Sequence, residues 1–468
     1  MFHQSRRISL IVALALCAVF AARSRAVLNA QQSDAGWSSV PTILSRIKAP
    51  VFPNRDFKIT DYGAVADGKA DNTEAIRKAI EACNAAGGGR VVVTPGVFLT
   101  GAIHLKSNVN LHIAEGATLK FIPDPAKYLP AVLTRFEGTE CMNYSPLIYA
   151  FEQENIAVTG KGSLDGSASN ENWWAWKRSA ESVRRLLEFN DKGTPVSERV
   201  FGEGYKLRPN FIQPYRSRNI LIEGVTINNS PMWEIHPVLC ANVTVRGVTV
   251  VTHGPNNDGC DPESCRDVLI EDCVFDTGDD CIAIKSGRND DGRRVATPSE
   301  NIIVRNCVMK DGHGGVVMGS EVSGGVRNVF VENCKMDSPN LDRALRFKSN
   351  AKRGGVIENV FMRNVEVGHV AEAVLTIDFL YETGADGPHK PVVRNVAIEN
   401  VRSASSPRVM WVAGFPGAVI EDVRFIDCAF RGVESSEVVQ NAGSISFKNV
   451  SIEPAAKGRS RNSPGTKP

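Results

Sequence analysis

Aromatic residues supply only 7% of this 468-residue chain, and neither sign of charge prevails, with 54 Lys and Arg against 52 Asp and Glu. A formal net charge of +2 offers no whole-chain attraction to nucleic acid or to an anionic membrane surface. No apolar run reaches the about 20 residues that a membrane-spanning helix requires. The longest, from Ile8 to Ala22, is broken by Ser9. With 43% hydrophobic and 23% charged residues, the composition excludes a disordered, collagenous or coiled-coil chain. Glycine is plentiful instead, at 40 residues, and points to a backbone of many tight turns. Length alone suggests about three domains of roughly 150 residues each.

The two ends are unlike the middle. Residues 1–26 have the pattern of a secretory signal. Arg6 and Arg7 precede the apolar run, and Ser24 and Ala26 place small residues at the −3 and −1 positions of a cleavage site. The run is too short for an anchor, and the bulky Leu16 before Cys17 argues against lipoprotein processing. The expected location is secreted or periplasmic, with no membrane contact once the signal is removed. Residues 27–56 form a lead segment. Residues 454–468 carry Lys457, Arg459, Arg461 and Lys467 with no acid and almost nothing to bury, the composition of a disordered basic tail. Setting aside the signal's four arginines and the tail's four cations turns the net charge of +2 into about −6, so the middle is acidic.

That middle repeats. A nine-residue pattern opens with Asn or Asp, alternates apolar residues, turns at its sixth position and ends on another alternating pair. It stands at 219–227 (NILIEGVTI), 242–250 (NVTVRGVTV), 267–275 (DVLIEDCVF), 301–309 (NIIVRNCVM), 328–336 (NVFVENCKM) and 359–367 (NVFMRNVEV). Weaker copies stand at 395–403, 422–430 and 444–452, with an outlying relative at 155–163. Alternation of period two means strands, and the Gly, Asn or Asp at the sixth position suits a left-handed bend. Spacings of roughly 22 to 36 residues mean stacked coils rather than separate globules, and are too short for the blades of a propeller. The expectation is an all-β fold, a parallel β-helix spanning residues 57–453 with an insertion at about 166–210. The segment Asp71-Asn72-Thr73-Glu74, followed by Ala75, Ile76, Ala79, Ile80 and Cys83, reads as a short amphipathic helix capping its N-terminal end. Cys273, Cys307, Cys334 and Cys428 share the seventh repeat position with valines of other coils, and so read as a buried ladder. Cys260, Cys265 and Cys281 lie near enough in sequence for a disulfide after export, with the pairing open.

Four coils align on a strand-ending serine: Ser264, Ser286, Ser320 and Ser349. In that register Asp258 and Asp280 share one column, Asp279 and His313 share the next, and Glu263, Lys285 and Lys348 share another. Arg346 lies two residues before Lys348. Strands of one sheet are about 4.8 Å apart, so three carboxylates, an imidazole and several cations gather on one patch. Like charges at that spacing raise at least one carboxyl pKa. A carboxylic acid and a carboxylate flanking a glycosidic bond are the minimal machinery of its hydrolysis. The cations suit a sugar acid. Taken singly, each piece is an ordinary turn or a solvated face. Calcium binding by Asp258, Asp261, Asp279 and Asp280 is the strongest competing reading. His236 and His253 read as structural or peripheral.

At these residues the chain resembles the polygalacturonases of glycoside hydrolase family 28. The motifs are Asn256-Asn257-Asp258, Gly278-Asp279-Asp280, Gly312-His313-Gly314 and Arg346-Phe347-Lys348, with Asn257 and Phe347 standing where the family pattern has Thr and Ile. The resemblance implies a right-handed parallel β-helix and hydrolysis of pectic galacturonan with inversion. It makes Asp279 the general acid, Asp258 and Asp280 the holders of the attacking water, and His313 the group that tunes Asp279. Arg346 and Lys348 bind the galacturonate carboxylate, and Asn256, Lys285 and Tyr381 are further substrate-binding candidates. Inversion is expected to need carboxylates roughly 6.5–9.5 Å apart. No metal and no cofactor are implied; the partner is a polysaccharide. The long insertion and Asn256-Asn257-Asp258-Gly259-Cys260-Asp261 resemble the exo-acting branch. Rhamnogalacturonan or xylogalacturonan hydrolase is the alternative within the same frame. A pectate lyase, or a β-helix that binds polysaccharide without cutting it, ranks below, because neither needs paired acids.

Overall fold

The structure, a computed structural model, describes residues 36–456. The export signal expected at 1–26 and nearly all of the basic tail lie outside the described residues. The chain winds into a right-handed parallel β-helix of three faces. The first face has 13 strands, from Asp56–Lys58 to Ile445–Lys448, and the second has 13, from Asp67–Asp71 to Ser451–Pro454. The third face is a three-stranded and a six-stranded sheet. Single bridges Ile212↔Ile235, Ile235↔Cys260 and Cys260↔Ile282 join these two into one surface.

Each nine-residue repeat turns the corner from the first face to the second. In the coil from 219, Arg218–Glu223 is a first-face strand and Thr226–Asn228 a second-face strand. Gly224, between them, has φ +77°. Asn306, Asn333 and Asn364 hold the same left-handed geometry in later coils, at φ +55°, +55° and +53°. The opening residue of the repeat is left-handed as well, at Asn219 (φ +55°), Asn301 (+58°) and Asn359 (+59°). There the side chains form a ladder: Asn219 Nδ2 donates to Asn155 Oδ1 at 2.9 Å, Asn242 to Asn219 at 2.8 Å, and Asn359 to Asn328 at 2.9 Å. Asn combines tolerance of that backbone region with a side chain that both donates and accepts, which explains its place in most coils.

Valine, isoleucine and leucine fill the interior. The seventh-position residues Cys273, Cys307, Cys334 and Cys428 are at most 3% exposed, level with Val225, Val248 and Val401. All ten described cysteines are free, Cys260, Cys265 and Cys281 among them. Helix Thr73–Ala85 closes the N-terminal end with Ala75, Ile76, Ala79, Ile80 and Cys83 buried. Asp71 Oδ1 accepts from the Thr73 backbone N–H at 3.0 Å, satisfying the first donor of the helix.

The described part of the lead segment, from residue 36, straps the outside of the first face. Leu269, Ile303, Phe330, Phe361 and Ala397 pair strand to strand in one outward column. Trp37, Val40 and Ile43 bury that stripe, with helix Val40–Arg46 lying along it. The Arg363 guanidinium stacks over the Trp37 ring at 3.7 Å. The sequence carried the signal, a bulky apolar residue at the third repeat position in consecutive coils, where Thr244 and Arg424 stand elsewhere.

Candidate active site

The third face carries the chemistry. Bridges Glu263↔Lys285, Ile284↔Met318 and Met318↔Phe347 put Ser264, Ser286, Ser320 and Ser349 in one column, the register expected from sequence. Asp258 is therefore one strand from Asp280, and Asp279 one strand from His313. Interior positions alternate with outward ones: Ile284, Met318 and Phe347 are fully buried in the core, while Lys285, Arg346 and Lys348 turn outward toward the site.

Two lysines grip the rear carboxylates. Lys348 Nζ donates to Asp280 Oδ2 at 2.6 Å, with Arg346 Nη1 3.7 Å from Oδ1. Lys285 Nζ lies 3.4 Å from Asp258 Oδ2 and 3.4 Å from Glu321 Oε2, beneath the Trp233 ring. Lys285 is thus a buried clamp on Asp258 at the lining of the acid pocket. Asp279 is the most accessible of the three acids, its side chain 19% exposed against 4% for Asp258 and 0% for Asp280. Its Oδ1 meets His313 Nδ1 at 2.9 Å and also accepts the Asp280 backbone N–H. Tyr381 lies beside the cations, its ring 5.9 Å from the Arg346 guanidinium and 5.5 Å from Lys348 Nζ. Asn256 accepts from Arg208 Nη2 at 2.7 Å.

Asn257 explains its own departure from Thr. It is fully buried, accepts from Thr252 Oγ1 and the Gly254 backbone N–H, and donates to the Ser230 and Met232 carbonyls. A threonine hydroxyl has one proton and cannot donate to both carbonyls. Phe347 in place of Ile simply fills core.

The charges sort the acids. Burial, then repulsion from Asp279, raises Asp258 well above the ordinary carboxyl range despite Lys285. Burial acts to raise Asp279 too, yet the His313 hydrogen bond and charge, followed by Lys348 and Lys285, carry it well below that range. The same hydrogen bond lifts His313 to about 9 against the effect of burial. The upward shift expected of one acid therefore falls on Asp258, and Asp279 and His313 form an ion pair.

The nearest oxygens of Asp258, Asp279 and Asp280 lie within 4.8 Å of one another, closer than the roughly 6.5–9.5 Å expected. Neighbouring positions on adjacent strands bring them this close. Three clustered carboxylates also invite a cation. Two of the three already carry a lysine ammonium, Asp258 that of Lys285 and Asp280 that of Lys348, and those charges compete with calcium for the same oxygens.

Residues 105–447 match the family described as Glycosyl hydrolases family 28. The chain belongs to that family. This glycoside hydrolase also matches, at residues 57–117, a family described as Rhamnogalacturonase A/epimerase, pectate lyase-like. It is 31% identical over 354 residues to an exo-poly-alpha-D-galacturonosidase of Dickeya chrysanthemi, covering 69% of this chain and 57% of that one. It is 28% identical over 392 residues to a probable polygalacturonase of Vitis vinifera, covering 78% of this chain and 73% of that one. Among solved structures it resembles a hyperthermoactive exopolygalacturonase from Thermotoga maritima, with a TM-score of 0.87 and 46% identity over 90% of this chain and 96% of that one.

The family 28 hydrolase closes one end of its site with three interlocked insertions. The hairpin Val132–Phe136 and Thr139–Asn143, helix Ala180–Asp191 of the long insertion, and helix Asn289–Val295 pack on one another. Arg199 Nη1 bonds Asp291 Oδ1 at 2.9 Å, Arg294 Nη2 bonds Glu140 Oε2 at 2.6 Å, and Arg288 Nη1 bonds Glu137 Oε2 at 3.0 Å. Between this wall and the acids lies a cavity of about 140 Å³ whose lining includes Glu137, Lys177, Arg288, Asp258, Asp279 and Tyr381. Sequence reading placed one of these insertions, at 166–210, and missed the hairpin and the short helix. Its tryptophans are mainly structural: Trp173 is fully buried and packs edge-on to Tyr128. His236 is structural too, its Nε2 bonded to Glu263 at 2.8 Å in a fully buried network with Arg135. His253 stands on the surface beside Asp276.

Glu234 went unread in the sequence, and Asp261 was read there only as a candidate calcium ligand. Both are wholly buried, and none of their four carboxylate oxygens has a hydrogen-bond partner. Burial first, then the neighbouring acids, raises both well above the ordinary range. Nothing in a turn motif such as Asn256–Asp261 signals that its last acid faces an unpartnered glutamate from the preceding coil.

Proposed function

We propose that this hydrolase is an exported, exo-acting polygalacturonase that cuts α-1,4-galacturonosyl linkages with inversion. The observation that carries the reading is a walled pocket holding three carboxylates beside Lys348 and Arg346. A pocket closed at one end admits a chain terminus and not the middle of a polymer, and guanidinium and ammonium groups suit a uronate. The exo-acting names of relatives from Dickeya chrysanthemi and Thermotoga maritima support the same mode. Export rests on the signal-like residues 1–26; among the described residues no helix is long and apolar enough to cross a membrane.

In this mechanism Asp279 protonates the leaving oxygen, being the acid that a bulky substrate reaches first. Its proton comes from the pair it forms with His313, and the incoming uronate charge raises Asp279 as it docks. Asp258 Oδ1 and Asp280 Oδ1 are both buried without a hydrogen-bond partner, and together they hold and activate the water. Arg346 and Lys348 orient the galacturonate carboxylate under Tyr381, and Asn256 borders the sugar. The close spacing of the acids favours retention; the duplicated water-holding pair favours inversion. NMR of the first-formed anomer decides between them, with the β anomer expected.

The raised Asp258 supports a second reading in which Asp258 is the acid and Asp279 the base. A galacturonide with a 4-nitrophenol leaving group separates the two, because a good leaving group needs no protonation. Asp279→Asn should keep activity on that substrate while losing it on polygalacturonate; the reverse pattern with Asp258→Asn would reassign the acid. Product analysis on galacturonate oligomers tests mode and substrate. Monomer from the first time points is expected, whereas a ladder of oligomers would refute exo attack and no release would refute the substrate.

A further inference from the structure

The third face continues past the acid cluster, away from the wall. Arg346 pairs with Thr376, and Thr376 with Trp411, so Trp411 shares Arg346's column two strands further on. That is about 9.6 Å along the stack. The next column runs Lys348, Asp378, Ala413. A cavity of about 480 Å³ lies there, lined by Asp378, Leu380, Arg408, Trp411, Ala413 and Gln440 among others. Leu380 lines this cavity and its chain neighbour Tyr381 lines the acid pocket, so the two spaces adjoin.

Trp411 is anomalous in its packing. The other five tryptophans each make a ring contact or donate their indole N–H. The half-buried indole of Trp411 makes neither a ring contact nor a hydrogen bond among the described residues. Arg408 beside it donates Nε to the Ser436 carbonyl at 3.1 Å and forms no ion pair among the described residues. Leu380, at 46% exposed, borders them. Beyond its bond to Ser436 the guanidinium feels only the nearby Glu437 charge and has no carboxylate within ion-pair distance among the described residues. An unstacked indole face and such a guanidinium are the two groups that recognise a uronic acid ring: the first covers its C–H face, the second pairs its carboxylate.

We propose that Trp411 and Arg408 form a distal sugar subsite that binds a galacturonate unit on the part of the polymer lying beyond the cut bond. The inference rests on the polygalacturonase reading and adds to it where the polymer runs. The interlocked insertions close one direction, and this second cavity lies on the same face in the other.

The experiment compares wild type, Trp411→Ala, Trp411→Phe and Arg408→Met on galacturonate dimer, trimer, tetramer and hexamer. Wild-type kcat/KM is expected to rise with length beyond the dimer. Trp411→Ala should lose about tenfold on the tetramer, the equivalent of one hydrogen-bonded or stacked contact, with the dimer rate unchanged. Phenylalanine should restore most of that loss, and Arg408→Met should lose part of it. A merely structural role would lower the dimer and tetramer alike; that result, or no change on either, overturns the subsite. Dimer or polymer cleavage by wild type tests the polygalacturonase reading separately. If wild type cuts neither, that reading fails, and calorimetry of tetragalacturonate with wild type and Trp411→Ala judges the subsite, equal affinity overturning it.

Discussion

His313 Nδ1 stands 2.9 Å from Asp279 Oδ1, on the adjacent strand and in the same column. The pair holds a proton on the imidazole to about 9. A histidine raised above its unfolded value stabilises the fold fully below about 6.5 and loses that contribution as pH rises through the folded value. An NMR titration should therefore place the His313 midpoint near 9, and Asp279→Asn should return it toward the ordinary range. A midpoint unmoved by that substitution would break the proposed pairing. His313→Ala should lower kcat by about 100-fold.

Glu234 lies wholly buried and unpartnered near Asp258. A carboxyl raised in the folded state favours folding while protonated, so its contribution falls as pH climbs from the ordinary carboxyl range toward the raised value. Glu234→Gln imitates the protonated acid. Its Tm should match wild type at pH 4 and exceed it at pH 8; equal Tm at both would mean that Glu234 is charged and paired.

Arg135 and Glu263 make a wholly buried ion pair at 2.9 Å that pins the hairpin to the third face. Arg135→Met leaves Glu263 with only neutral His236, and removal of one partner of a buried pair costs about 3–5 kcal/mol. Urea denaturation measures this, and a loss below about 1 kcal/mol would show the pair to be dispensable.

Trp37, 8% exposed, seals the outward stripe of Phe330 and Phe361. Trp37→Ala should cost about 3–5 kcal/mol with kcat and KM unchanged at temperatures where the variant is folded. A change in kcat would mean that the strap reaches the site.

Much of this was legible in the chain itself. Period-two alternation, the turn residue at the sixth position and the recurrence of Asn specify strands and corners, because each depends on local geometry that one coil dictates. Once coils stack in register, the serine column places Asp258, Asp279, Asp280 and His313 together, since sequence offset and lateral position are the same quantity in a solenoid. Other features belong to the tertiary structure alone. Which carboxyl keeps a proton depends on burial and on charges from other coils: Asp279 beside Asp258, His313 beside Asp279. The wall that closes the pocket joins segments about 150 residues apart, such as Glu140 and Arg294, with no shared period to reveal it. Local periodicity thus determined the coil and the column of acids, while long-range packing decided their charges and the shape of the pocket they face.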